Sequence, residues 1–136
     1  MARWLFKQEP SCYSYDDLER DGMTVWDGVA NALALQNLRK AQAGEQVFFY
    51  HTGKEKAIVG VMEIIKDASA LQTSAAPKSA MVSVKPIKRL ARPVTLALIK
   101  GDQTLSDWDL VRLPRLSVLP VSAAQWKKIE DLATQV

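Results

Sequence analysis

Few side chains in this sequence are able to do acid–base or nucleophilic work: there is one histidine, His51, and one cysteine, Cys12. They would form a base–nucleophile pair only if the fold brought them together, and "PSCYS" around Cys12 carries no nucleophile context. Cys is commonly a small buried hydrophobe, and His51, closing "FFYH", is expected to hydrogen-bond a neighbouring loop. One His and one Cys do not furnish a transition-metal site. Neither a P-loop nor a GxGxxG cradle occurs. The adjacent carboxylates Asp16 and Asp17 suit the start of a helix. The expectation is a chain without catalytic residues, cofactor or metal.

A second kind of chemistry is better represented. Trp4, Tyr13, Tyr15, Trp26, Phe48, Phe49 and Tyr50 fall within the first fifty residues, interleaved with Lys7, Glu9, Ser14, Asp27 and Asn31. Rings offer faces for stacking, while Asn, Asp and Ser read the hydrogen-bonding edge of a flat heterocycle. In "VWDGVANAL" (25–33) a tryptophan stands against an Asp-Gly turn signal. Trp26 is either a core residue that ends a strand or a ring lining a pocket for something flat. Residue pattern alone leaves both open, since most rings in a small domain are core.

Charge is distributed unevenly around a net +3. Residues 78–100 hold six bases (Lys78, Lys85, Lys88, Arg89, Arg92, Lys100) and no acid, whereas 8–27 hold six acids and one base. Such asymmetry fits a face turned toward phosphate, or equally a solvated strand edge with cations opposing aggregation.

The elements that must position these residues read as follows. A length of 136 residues, 48% apolar and 24% charged, fits one globular domain. No apolar run reaches membrane-spanning length, and "MARWLFKQEP" lacks the apolar stretch and cleavage site of a signal peptide. An intracellular, cytoplasmic setting is expected. "RWLFK" (3–7) reads as a strand, and Ser14 with Asp17 as a capping box for a helix stopped by Gly22. "TVW" (24–26) is extended, and Asn31 caps a helix whose apolar face runs up to Gly44. "QVFFYH" (46–51) and "AIVGVMEIIK" (57–66) form a hairpin across "TGKEK". Residues 67–80 read as a loop, and 81–90 as a strand that Pro86 marks as edge or bulge. A short helix over 94–101, a strand over 113–121 and a helix capped by Ser122 and Gln125 complete the chain. This is an α+β pattern: a mixed, mostly antiparallel sheet curled into a barrel, flanked by short helices.

The blocks "WLFKQEPSCYSYDDL" (4–18), "VWDGVAN" (25–31), "LRKAQAGEQVFFYHTG" (38–53), "AIVGVMEI" (57–64) and "PRLSVLPVS" (114–122) resemble the EVE domain family in order and spacing. The resemblance covers nearly the whole chain. It implies a PUA-like barrel related to the YTH readers of methylated adenine. It also implies non-catalytic recognition of a modified base, with 5-methyl- or 5-hydroxymethylcytosine in DNA or RNA as leading candidates. By the same resemblance Trp26 is the cage ring, with Ser14 and Asn31 close to the pocket and Asp27, Lys7, Glu9, Tyr50 and His51 around it. Phosphate contact is expected from Lys85, Lys88, Arg89 and Arg92. The expected partner is nucleic acid, bound by a monomer, with no membrane. The alternative is a pocket for a free modified nucleoside without a polymer. Extruding a base costs a few kcal/mol and stacking returns about 1–3 kcal/mol, so phosphate and edge contacts must supply the affinity. Two departures stand out: Ala30 replaces the Arg of the family's "WDGVRN", and the segment before "MVSV" lacks the usual Asp-Pro-rich insertion.

Overall fold

The computed structural model describes residues 2–27, 29, 31–67 and 81–134. Gly28, Ala30, Lys78 and nearly all of the loop expected over 67–80 lie outside them. Six strands, β1 (Arg3–Gln8), β2 (Thr24–Trp26), β3 (Gln46–His51), β4 (Ala57–Lys66), β5 (Val82–Thr95) and β6 (Val118–Val121), form one sheet in the order β2-β5-β4-β3-β1-β6. β1 and β3 run parallel and every other pair is antiparallel. The sheet curls into a half-barrel, matching the mixed, mostly antiparallel expectation. Five helices flank it among the described residues: α1 (Tyr15–Asp21), α2 (Ala32–Lys40), α3 (Leu96–Lys100), α4 (Asp109–Arg112) and α5 (Ala123–Thr134).

Local signals explain most of these boundaries. Ser14 Oγ accepts the Asp17 amide at 3.1 Å and Asp17 returns the bond to the Ser14 amide at 2.9 Å, which caps α1. Gly22 ends it at φ 77°, a conformation glycine adopts freely. Asn31 Oδ1 accepts the Ala34 amide at 3.0 Å to start α2, and Ser122 and Gln125 exchange a reciprocal pair at α5. α2 stops four residues before Gly44. There the buried Glu45 carboxylate takes the amide of Gln42 at 2.7 Å, together with the Trp4 indole N–H at 2.9 Å and the Ala2 amide at 2.8 Å.

Three expectations are revised. β5 runs to Thr95, so the helix expected from residue 94 starts at Leu96. Pro86 is tolerated inside this long strand because β2 pairs only with Val82–Val84, and the β4–β5 register shifts beside Pro86. It sits at a register shift, where the regular ladder against β4 is interrupted. The strand expected over 113–121 is confined to Val118–Val121; before it the chain turns, with the Leu116 amide on the Leu113 carbonyl at 3.0 Å. The one-turn helix α4 has no counterpart in the sequence reading.

β6 is an edge strand with few open groups. Asn37 Nδ2 donates to the Val118 carbonyl at 2.8 Å and the Trp108 indole N–H to the Pro120 carbonyl at 3.2 Å. Side chains thus occupy acceptors that would otherwise invite another strand.

"VFFY" is buried throughout because β3 lies inside the sheet with both faces covered. Phe48 stacks on Trp126 of α5 at 3.7 Å, while Phe49 meets Tyr15 and Trp26 edge-on at 5.5 and 5.2 Å. The hydroxyl of fully buried Tyr15 bridges the carbonyls of Val61 (2.8 Å) and Lys88 (2.9 Å), where β4 and β5 shift register. Gly60 makes room for that ring: a Cβ there would lie 2.5 Å from Tyr15 Cε2. Gly60→Ala should therefore lower stability by about 1–3 kcal/mol through overpacking. Urea unfolding measures it, and an unchanged midpoint would show that Tyr15 moves aside freely.

Candidate functional site

Trp26 ends β2 with 5% of its surface exposed. Its ring packs on Phe6 (centroids 5.4 Å, 44° between planes) and on Phe49 (5.2 Å, 86°). It is thus a core residue, and it also borders a cleft of about 230 Å³ with Gln8, Tyr13, Thr24, Val25 and Asp27. The two roles left open by the sequence are compatible. The protein grips most of the ring and leaves a small part at the cleft wall, beside the exposed Asp27. Tyr13 is set in that wall by a 2.8 Å bond from its hydroxyl to Asp21.

Asn31 does not share this cleft. It borders a second one, of about 310 Å³, with Leu33, Arg112, Leu113, Pro114 and Arg115. Lys7 reaches the second cleft only. Its ammonium donates to the Pro114 carbonyl at 3.0 Å, at the second cleft, while its chain neighbour Gln8 borders the first. The ammonium also lies 5.6 Å over the ring of Tyr50, its register partner on β3. Burial lowers the Lys7 pKa to about 8 and raises that of Tyr50 to about 12. Both shifts have one cause, removal of the charged form from water.

The remaining expected pocket residues are engaged within the fold. Ser14 spends its hydroxyl on the α1 cap. His51, 6% exposed, accepts the Tyr15 amide on Nε2 at 3.1 Å and faces Glu55 Oε1 from Nδ1 at 2.7 Å. Nε2 is therefore the unprotonated nitrogen and Nδ1–H donates to Glu55. Glu9 accepts from Ser11 Oγ at 3.4 Å and Thr52 Oγ1 at 3.3 Å, and lies over Gly53. Glu9 and His51 sit at the ends of β1 and β3, and Ser14 at the start of α1; none of the three lines either cleft. Cys12 is exposed, against the expectation of burial, because it sits in the turn where the Cys12 and Tyr13 amides bond the Glu9 carbonyl. With both His51 nitrogens occupied, that imidazole has no free nitrogen to serve as a base for Cys12.

The basic strip is tied down by internal partners. Arg89 pairs with Asp16 and, at 2.7 Å, with Glu19, and lies 5.1 Å over Tyr15. Lys85 faces Glu63 at 3.7 Å, Lys88 faces Glu130 at 3.6 Å, and Arg92 Nε donates to the Leu132 carbonyl at the end of α5 at 3.0 Å. Part of the charge asymmetry is thus self-complementary: the acid-rich stretch supplies α1, which closes on base-rich β5. Cations unnoticed in the sequence border the second cleft instead. Arg112 is bound to Asp109 at 3.2 Å, and Arg115 makes no ion pair among the described residues. Their signal was the basic "VRLPR", obscured by reading 113–121 as strand.

Among the described residues no group of three or more His, Cys, Asp or Glu is arranged to hold a metal ion, and no helix is long and apolar enough to cross a membrane.

Comparison with known proteins agrees with this architecture. Human thymocyte nuclear protein 1 is 30% identical over 165 aligned positions, spanning 96% of this chain and 73% of that protein. Those 165 positions exceed the 136 residues of this chain, as extra residues in the relative require. The NMR structure of Rpa0253 from Rhodopseudomonas palustris superimposes with a TM-score of 0.91 at 38% identity, covering 98% of this chain and 93% of the other. The crystal structure of human THYN1 in complex with 5-methylcytosine-containing DNA superimposes with a TM-score of 0.90 at 27% identity, covering 100% and 99%. The model of the EVE domain matches residues 2–132. With that match across nearly its full length, the chain belongs to the EVE domain family.

Proposed function

We propose that this chain is a non-catalytic reader of modified cytosine in nucleic acid, with 5-methylcytosine in DNA as its first target. The observation that carries the reading is the cleft beside Trp26, in a chain whose full length superimposes on human THYN1, a protein crystallised with 5-methylcytosine DNA. In this reading the extruded base lies against the exposed part of Trp26, and Asp27 accepts from its exocyclic amine. Gln8 and Tyr13 border the same space. Lys7 supplies positive charge nearby, while Ser14, Glu9, Tyr50 and His51 hold the cleft's backbone in place. Phosphate contact falls first to Arg112 and Arg115. Lys85, Lys88, Arg89 and Arg92 would exchange an internal partner for a phosphate. Binding by a monomer, in the cytoplasm, belongs to the same reading, and 5-hydroxymethylcytosine and RNA are the nearest variants of the target.

The test is fluorescence anisotropy with short oligonucleotides that differ only in one cytosine 5-methyl group, repeated at several salt concentrations. The methylated strand is expected to bind tighter, with log affinity falling linearly in log salt. Equal binding of both strands overturns methyl recognition. Salt-independent binding of the free nucleoside, with no gain from a polymer, would favour a small-ligand pocket instead.

A further inference from the structure

The second cleft has a chemistry distinct from the first. Its walls are Leu33, from the first turn of α2, and Leu113 and Pro114, from the turn after α4. Leu33 is 44% and Leu113 37% exposed, two of the few large apolar side chains so open to water among the described residues. Isolated exposed leucines need no explanation. Here, however, they line one concavity of about 310 Å³, rimmed by Arg112 and Arg115. Apolar walls with planar cations beside them complement a ligand with an apolar face and an attached anion. A nucleobase with its phosphate has that form, and guanidinium planes both stack on bases and bind phosphate through two N–H groups. The 3.0 Å bond from Lys7 to Pro114 joins this cleft to β1, whose next residue borders the Trp26 cleft.

We propose that the second cleft is a subsite for the base and phosphate of a nucleotide flanking the modified one, so that the ligand recognised is an unpaired stretch of strand and not a single base. This rests on the nucleic-acid reading above. It adds that two neighbouring bases leave the stack, one beside Trp26 and one between Leu33 and Leu113. It follows that single strands or opened duplex are bound in preference to intact duplex.

The experiment compares two probes on wild type, Arg115→Ala and Leu113→Ser: 5-methyl-deoxycytidine monophosphate, and a single-stranded hexamer with one central 5-methylcytosine. Both positions are exposed, and melting curves confirm that each variant is folded. Leu113→Ser should bind the mononucleotide within twofold of wild type, and either variant should lose roughly tenfold on the hexamer, as removal of one stacked base or phosphate contact requires. Arg115→Ala should also flatten the log-affinity against log-salt slope on the hexamer by about 0.7, whereas Leu113→Ser leaves that slope unchanged. Equal losses on both probes would make this cleft the primary base site and overturn the proposal. Wild-type hexamer affinity in both variants would overturn it as well. If wild type itself binds neither probe, it is the nucleic-acid reading that fails, a result distinguishable from failure of the subsite alone.

Discussion

Trp26→Ala should lower the folding stability of the domain by about 3–5 kcal/mol, a large share of what a chain of this size possesses. The ring is 5% exposed and wedged between Phe6 and Phe49, so truncation opens a cavity in the inner face of the sheet. Loss of ligand binding in that variant would consequently say nothing about the ligand. Trp26→Phe separates the roles, since it keeps an apolar ring in the core and withdraws the part that reaches the cleft. It should remain folded and bind a methylated oligonucleotide roughly tenfold more weakly, within the range of one lost stacking contact. Urea unfolding and anisotropy measure the two effects. A Trp26→Ala protein that melts like wild type would refute the packing account. A folded Trp26→Phe protein with undiminished affinity would remove the ring from the binding site.

Lys7→Met should move stability and affinity in opposite directions. Burial lowers the folded-state pKa of Lys7 from 10.5 to about 8. Between those values the unfolded chain holds more protons than the folded one, so stability rises with pH across that window. The penalty for burying the ammonium is present in full below about pH 8 and is gone above about pH 10.5. Tyr50 and Tyr15, both raised to about 12, act the other way from pH 10 upward, because the folded chain retains protons that the unfolded chain releases. Wild type should therefore gain stability from pH 8 to 10 and lose it above. Lys7→Met, with a side chain of similar length and no charge, should be about 1 kcal/mol more stable at pH 7 and flat between pH 8 and 10. Its affinity for an oligonucleotide should fall about tenfold, a loss that wild type should approach as Lys7 deprotonates between pH 7 and 9. Parallel stability profiles for the two proteins across pH 8–10 would show that Lys7 does not titrate in this window. Equal affinity at pH 7 would place the ammonium outside the ligand's reach.

The opposed signs in this second prediction reflect how the site is built. A half-buried ammonium held by one carbonyl and the face of Tyr50, with no carboxylate beside it among the described residues, opposes folding unless an anion is bound nearby. The same reasoning separates Lys7 and Arg115 from the β5 cations. Arg89 already has two carboxylates, and exposed pairs of that kind contribute about 0–1 kcal/mol each. Their chief consequence is to give Lys85, Lys88 and Arg89 internal carboxylate partners, while Arg92 on the same strand meets a carbonyl.

What the sequence by itself determined was local. The caps at Ser14, Asn31 and Ser122 and the left-handed stop at Gly22 depend on residues within about four positions of one another, and the β3–β4 hairpin and the strand-forming run "QVFFYH" on a single short stretch of chain. Backbone preferences and alternation of apolar residues act at that range. The order of those elements carried the mixed, mostly antiparallel sheet, and the family blocks carried the expectation that Trp26 is the cage ring. Only the tertiary structure decided what those elements do for one another. Arg89 finds Asp16 across 73 residues of sequence and Lys7 finds Pro114 across 107. Lys85, Lys88 and Arg89 of the basic strip likewise meet carboxylates distant in sequence. Tertiary folding also set Asn31 at a different cleft from Trp26, together with Arg112 and Arg115. A side chain's type shows that it can stack, pair or donate; which partner it meets depends on strand order and register, and no short window of sequence contains them.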